Sequence, residues 1–453
     1  MSWTRTYDLE RILPTAMTGS LVRTEGLVAA VAGLPAPVGA VVAIDRLSGP
    51  PVEGTVVAFR ESQTLVFPLG ELTGVRPGAA VHLRRTQRML RVGDELLGRV
   101  VDARGQVIDG LPRPVLPHRV PLTAPPPVAT QRPRVCQPLG TGVRVIDSLL
   151  TCGQGQRLGI FAGSGVGKSV LLGMMARATS ADVTVIGLIG ERGREVNDFL
   201  ERDLQSAGLA RSVVVVATSD QPAVLRVEAA LTATAIAEYF RDQGKNVLLI
   251  MDSLTRFAQA QREIGLAAGE PPTTRGYPPS VFALLPKLVE RAGRAPRGSI
   301  TAFYSVLVEG DDLEEPVSDT VRGLLDGHLV LSRRLASQAH WPAIDVLASL
   351  SRLFPDITPP EQQEAAQAVR ELLAAYREQE DLIAIGAYRP GSNPLVDAAL
   401  AMRESIQQFL RQGMQERCDL ETARQALIAL GAACQAARKS SPAAASSARP
   451  GVR

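Results

Sequence analysis

The chain reads as an α/β protein. A core domain on a mostly parallel sheet is expected, preceded by a small antiparallel β-barrel or sandwich and followed by a helical domain. Three stretches predict this. In LGIFAGSGVGKSVLLGMMA (158–176) an apolar run breaks into Gly163, Gly165 and Gly167, then Lys168 and Ser169, then a helix-like apolar sequence. Between Glu25 and about Gly98, short β-type runs alternate with Gly, Pro and Ser-rich turns at intervals of about ten residues. After Pro360 the composition turns helical. At 453 residues the chain exceeds one ordinary core, and about three domains are expected.

Composition narrows the partners. Lys plus Arg number 49 against 46 Asp plus Glu, so no bulk basic field argues for nucleic acid. Cys136, Cys152, Cys418 and Cys434 have no metal-ligand spacing and are expected as reduced thiols in a cytosolic protein. The opening MSWTRTYDLERILPTAM lacks the apolar core of a signal peptide. No uncharged apolar run approaches the roughly 20 residues of a membrane span, so membrane association is expected only through partners.

Residues 1–24 form the first unit. An amphipathic helix with Leu9, Ile12 and Leu13 on one side is expected, limited by Pro14. It is either a partner-docking segment or a frayed terminus. Residues 25–98 carry GLVAAVAG, AVVAID, GTVVAFR, TLVFPLG and AVHLRR, the β-barrel unit. Its aromatics, Phe59 and Phe67, fall in apolar runs, which points to core packing and away from base stacking. The unit reads as an assembly collar. Residues 99–354 form the α/β unit, entered through a semi-rigid proline-rich connector from Pro114 to Pro138.

In that core, Val183–Gly190 closes on Glu191 and Arg192, Val213–Ala217 follows, and NVLLIMD ends at Asp252. Helices from Pro222 to about Arg241, and after Asp252 with Arg256 and Arg262, intervene. Continuous apolar strands alternating with helices imply a parallel sheet covered on both faces. Its chemistry collects at the carboxyl ends, where Lys168, Glu191 and Asp252 lie. The long loop Gly265–Pro279 has functional length, and an acidic loop, Glu309–Pro316, separates SITAFYSVLV from HLVLS. Residues 355–437 hold candidate helices Glu361–Tyr376, Leu395–Gln412 and Glu421–Ala437, and 438–453 form a low-complexity, disordered tail.

Residues 162–170 (Ala162, Gly163, Ser164, Gly165, Val166, Gly167, Lys168, Ser169, Val170) have the P-loop arrangement, with Ala162 where the first glycine usually stands. Glycines let backbone N–H groups curl around phosphate oxygens, and the following helix adds its unpaired N–H groups and positive dipole end. Lys168 suits the β- and γ-phosphates, and the Ser169 hydroxyl suits Mg²⁺. A plain glycine turn does not require the intact GKS in this strand–helix setting. Asp252, ending an apolar strand, is the Walker B candidate for the Mg²⁺ water shell; a helix cap is the competing reading. Glu191 is best placed to polarise an attacking water, against a surface salt bridge with Arg194. Transition-state charge calls for an arginine, and the residues alone do not choose one.

GQRLGIFAGSGVGKSVLLGMMA, GLIGERGREVNDF, VLLIMDSLTRFAQAQREIGLAAGEPPTTRGYPPSVF, GSITAFYSVLVEGDD and DGHLVLSRRLA together resemble the cytoplasmic ATPases of type III protein export, in particular the flagellum-specific branch. The resemblance spans about residues 20–435 and extends to the catalytic subunit of rotary ATP synthases. It implies an N-terminal β-barrel, a RecA-like P-loop core, a C-terminal helical domain and a homohexameric ring using ATP and Mg²⁺. Lys168 and Ser169 become the phosphate and Mg²⁺ residues, Glu191 the catalytic carboxylate, Arg192 its phosphate-side neighbour and Asp252 the Walker B aspartate. Arg352, ending IDVLASLSR, becomes an arginine finger for the adjacent subunit. Trp341 stands where the family usually has an adenine-stacking Tyr, and Met414 at a second adenine contact.

The implied setting is the cytoplasmic face of the inner-membrane export apparatus. Its partners are export-gate, stator and central-stalk proteins, substrates and chaperones; Glu309–Pro316 resembles a stalk-touching loop. IGAYRPGSNPLVDAAL matches export ATPases and lacks the acidic run of synthase subunits, while HWPAIDVLASLSRL is nearer the injectisome (virulence) secretion ATPases. A rotary synthase subunit would need an unlike partner chain. A Rho-like RNA translocase is disfavoured by the aromatic-poor barrel and near-neutral charge. A non-enzymatic nucleotide-binding subunit is opposed by the intact Glu191.

Overall fold

Alternation at period two builds the N-terminal unit of this computed structural model, which describes residues 17–308 and 314–440. Six strands, β1 (Thr18–Glu25), β2 (Val28–Ala32), β3 (Val41–Ile44), β4 (Val52–Arg60), β5 (Gln63–Pro68) and β6 (Ala80–Arg85), close in the order β1-β2-β5-β4-β3-β6. Ala29, Val31, Val42, Val56, Val66 and Val81 fill the barrel. Gly54 is required there, since a Cβ would stand 2.5 Å from Val66 Cγ1. Phe67 is buried as expected, but Phe59 is 55% exposed at the hairpin end of β4, beyond the reach of the interior.

The barrel starts earlier than the sequence boundary at residue 25. In TGSLVRTE, Gly19 and Leu21 point inward between exposed Thr18 and Ser20, a strand pattern, where a helix to about Thr24 was expected. Pairing with both β2 and β6 makes β1 the closing strand. The expected helix through Leu9, Ile12 and Leu13, most of the acidic loop Glu309–Pro316, and the tail beyond Ser440 lie outside the described residues.

The core is a nine-stranded sheet. Leu350–Ser351, Gly327–Leu331, Arg157–Ala162, Ser299–Leu307, Asn246–Asp252, Val183–Glu191, Ser212–Thr218 and Val100–Asp102 lie in that spatial order, with Gly293–Arg294 attached to Ser299–Leu307. Every pairing is parallel except those of Gly293–Arg294 and Leu350–Ser351. Successive apolar side chains go to opposite faces. Val185, Leu249 and Met251 pack with helices Ala223–Asp242 and Leu254–Ala267. Ile186, Leu248 and Ile250 pack with helix Lys168–Ala178 and the C-terminal domain. Burying each such side chain contributes about 1.5–3 kcal/mol, so one sheet cements two layers.

Helices Pro360–Ala384, Pro394–Leu410 and Leu420–Ser440 form the last unit. Proline at the first turn of the first two has no N–H to waste. Gln362, Ala365, Ala366, Val369 and Leu372 make the buried stripe of the first helix. The last helix continues to Ser440, past the expected end at Ala437, so residues 438–440 belong to it and not to a tail. All four cysteines are free thiols. Among the described residues, no helix is long and apolar enough to cross a membrane.

Candidate functional site

Four neighbouring strands of the sheet deliver the site. Arg157–Ala162, Ser299–Leu307, Asn246–Asp252 and Val183–Glu191 are adjacent and parallel, so their carboxyl ends line one edge. Ala162 leads into the glycine loop, Asp252 and Glu191 end their strands, and the loop turns into helix Lys168–Ala178. Gly165 at φ 77° and Gly167 at φ 82° adopt the left-handed conformation that glycine alone takes freely. At Gly167 a second reason applies: a Cβ would meet the Trp341 ring at 2.6 Å. Val166 and Ala162 are buried beneath the loop, and Ser169 is exposed at the helix start.

The charges converge behind the loop. Lys168 Nζ donates to Asp252 Oδ1 and stands 3.7 Å from Glu191 Oε1. Ser305, a hydroxyl in the otherwise apolar run FYSVL, donates to the same Asp252 oxygen at 2.5 Å. Burial works against the Lys168 ammonium, yet Asp252 and Glu191 outweigh it and hold its pKa above the ordinary lysine value. Glu191 moves the other way for a carboxyl. Burial chiefly, and then the Asp252 charge, push it up to about 7, with Lys168 pulling it back. Such a value suits a proton acceptor working near neutrality.

Two cavities meet across the loop. One, about 700 Å³, is lined by Gly163, Lys168, Ser169, Glu191, Arg192 and Arg256. The other, about 1240 Å³, is lined by Val170, Met174, Trp341, Met414, Arg144 and Glu404. Gly165, Gly167 and Val170 border both. The first offers charge and backbone N–H groups, the second an aromatic face and a thioether. Trp341 O accepts from Gln412 N at 2.9 Å, and Arg177, on the P-loop helix, donates to Met414 O at 2.7 Å. The second cavity is thus walled jointly by core and C-terminal domain.

Arg192 lies at the rim, its guanidinium largely exposed and 3.9 Å from Glu195. Arg352 is placed elsewhere. Ser351 pairs with Gly327, at the amino end of Gly327–Leu331, whereas Leu331 pairs with Ala162 beside the loop. Four residue steps of strand, about 13 Å, separate the two levels. Exposed Arg352 therefore lies at the opposite level of the sheet from the phosphate loop of its own chain.

Sequence reasoning passed over Ser305, Thr255, Arg333 and Gln412. Thr255 Oγ1 accepts from Leu307 N at 2.9 Å and, with Arg333, lines the charged cavity. Gln412 bridges Arg144 N and Gly142 O. Ser305 alone had a legible signal, a polar residue inside an apolar strand. Ser169 and Asp252 are hard oxygen donors; two of these, completed by substrate phosphates and water, suit Mg²⁺.

Sequence profiles match at two places: the ATP synthase alpha/beta family, nucleotide-binding domain, over residues 142–351, and the T3SS EscN ATPase C-terminal domain over residues 358–429. The flagellum-specific ATP synthase of Salmonella typhimurium is 51% identical over 90% of this chain and 92% of its own. The type 3 secretion system ATPase of Xanthomonas euvesicatoria is 50% identical over 89% and 92%. The structure of the assembled ATPase EscN of the enteropathogenic E. coli type III secretion system superposes with a TM-score of 0.85 at 45% identity, covering 91% of this chain and 100% of that one. The chain belongs to the type III export ATPases, a family built on the ATP synthase alpha/beta nucleotide-binding domain.

Proposed function

We propose that this protein is a Mg²⁺-dependent ATPase that works as a homohexamer and drives protein export through a flagellar type III apparatus. The observation that carries the reading is the pair of cavities meeting at Gly165 and Gly167, one suited to phosphates and the other to a purine. Trp341 and Met414 hold the base, and the loop N–H groups with Lys168 hold the phosphates. Ser169 and Asp252 would hold Mg²⁺, which when bound would supply positive charge to the phosphates. Glu191 orients a water whose oxygen attacks the γ-phosphorus; the water's proton passes to the Glu191 carboxylate as the bond to the β–γ bridging oxygen breaks. Arg192 steadies the phosphate side.

Arg352 of the neighbouring copy supplies the positive charge that the transition state needs. Its place at the far level of the sheet supports action in trans. An active site shared between copies makes activity a property of assembly. Specific ATPase activity is therefore expected to fall steeply when the protein is diluted below its assembly concentration. Turnover per chain that stays constant for a strictly monomeric preparation, followed by light scattering, would refute this.

Replacing Trp341 with Ala is expected to weaken binding of a fluorescent ATP analogue about 10- to 100-fold, the worth of one base–aromatic stack. Turnover at saturating nucleotide should change little.

The EscN structure in complex with its central stalk EscO, 45% identical with a TM-score of 0.84, supports a stalk partner here. Export-gate and stator proteins, chaperones and unfolded substrates complete the proposed set, with cytoplasmic placement and peripheral membrane attachment through them. The SPI-2 type 3 secretion system ATPase of Salmonella typhimurium, 51% identical over 84% of its length, supports an injectisome role as the second reading. Deleting the gene distinguishes them: loss of the flagellar filament supports the first, and loss of effector secretion with intact motility the second.

A further inference from the structure

The segment that carries Arg352 is held by its backbone and by the Ser351 hydroxyl. Arg352 N donates to Asp326 O at 3.0 Å, and Ser351 pairs with Gly327. Gln156, fully buried, donates from its side-chain amide to both Asp326 O and Ser351 Oγ, each at 3.1 Å. Ser351 Oγ in turn donates to Thr151 O at 2.8 Å. The carbonyl of Asp326 thus takes the Arg352 N–H directly and shares the Gln156 amide with Ser351.

Asp326 is itself fixed by its neighbour strand. Arg157 forks onto it, Nε to Oδ2 at 3.1 Å and Nη2 to Oδ1 at 3.2 Å. Arg157 N also donates to Oδ2 at 3.0 Å, and Asp326 N returns a bond to Arg157 O at 2.9 Å. The remaining arm of the guanidinium is taken by Glu290 Oε1 at 2.6 Å. A two-pronged arginine–carboxylate contact fixes orientation as well as distance. Arg157 opens the strand Arg157–Ala162, whose other end becomes the phosphate loop. A single strand therefore has this chain's nucleotide site at one end and, at the other, the clamp on the arginine offered to the next copy.

We propose that Asp326, gripped by Arg157, is a positioning residue for Arg352. The ion pair touches neither substrate nor reacting atoms; it acts through the backbone of residues 351 and 352. It rests on the reading of Arg352 as an arginine supplied in trans. Neutralising the carboxylate in Asp326→Asn keeps the shape and the carbonyl but loosens the fork, letting the Arg352 segment drift. Since a misplacement of about 1 Å costs on the order of 100-fold in rate, kcat should fall about 10- to 100-fold, with nucleotide affinity and KM little changed.

Mixing subunits tests this, because it assigns the defect to one side of the interface. Full-length Asp326→Asn protein is mixed in equal amounts with Glu191→Gln, and separately with Arg352→Ala, and ATPase activity is compared with each parent. Complete sites then arise in the first mixture, at about a quarter of interfaces, from the sound Glu191 of one variant and the well-held Arg352 of the other. In the second mixture every arginine is either loosened or missing, so activity should not exceed that of Asp326→Asn alone. Restoration in both mixtures, or wild-type kcat in Asp326→Asn, would overturn the proposal.

The benchmark mixture of Glu191→Gln with Arg352→Ala separates the two layers of argument. If it regains activity while the Asp326→Asn pattern is absent, the positioning role alone fails. If it regains none, the arginine in trans fails, and the proposal with it. Should Asp326→Asn not assemble, Arg157→Lys, which keeps the charge and loses the fork, is read in the same two mixtures with the same expectations.

Discussion

Glu191→Gln is expected to lower kcat by about 10²–10⁴-fold while ATP still binds, because it removes the proposed proton acceptor and leaves the glycine loop and the second cavity intact. Glutamine keeps the size of the side chain but has no oxygen that takes a proton from water. A variant that binds a fluorescent nucleotide normally and hydrolyses ATP at the wild-type rate would remove Glu191 from the mechanism. The pH profile is a second arm of the same prediction. Burial, then the Asp252 charge, push this carboxyl up to about 7, so below that pH it is protonated and idle. The kcat/KM of the wild type should rise with pH through about 7 and then level off; the residual activity of Glu191→Gln should lack that limb. Stability has the opposite sign. A carboxyl whose folded-state pKa lies above its unfolded value favours the fold fully at acid pH, and that contribution is lost as pH climbs through about 7. The melting temperature of Glu191→Gln, relative to wild type, should accordingly be higher at pH 8 than at pH 5.5.

Arg352→Ala is expected to lower turnover of the assembled ring by about 10³-fold or more, the usual worth of an arginine finger, with nucleotide affinity nearly unchanged. Arg352 is exposed and sits on the level of Gly327 and not of Leu331, which supports the proposed action on a neighbouring copy. Sidedness follows. Equal amounts of Arg352→Ala and Glu191→Gln, each nearly inactive, should together recover activity at up to about a quarter of interfaces, where an intact Glu191 meets an intact Arg352. Two variants damaged in one and the same cis site would recover nothing. The ATPase rate of the mixture, after exchange of subunits, decides between these outcomes.

Much of this was legible along the chain because the signals are local. A period-two apolar run makes a strand and a stripe at i, i+3, i+4 makes a helix, whatever lies far away. The glycines before GKS turn the strand into a helix for the same reason, and Glu191 and Asp252 lie beside them because parallel strands deliver their carboxyl ends to one edge. The misreading at β1 has a local cause as well. Its alternation is short and follows residues with helical spacing, so only pairing with β2 and β6 revealed the strand. Trp341 and Met414 were named from resemblance, since nothing near them in sequence signals a base.

The tertiary structure alone decided what stands across from what. The Trp341 ring lies over Gly167, Ser305 reaches Asp252, Gln412 bridges to Gly142, and Asp326 holds the backbone of Arg352. Each pair is joined by sheet order or domain docking, which arise from burying both faces of one sheet at once. No window of the sequence contains that information. The sequence determined which charged and hydroxyl side chains are available; the order of strands in the sheet determined which of them meet at one edge, and which one, Arg352, is left exposed at the other level.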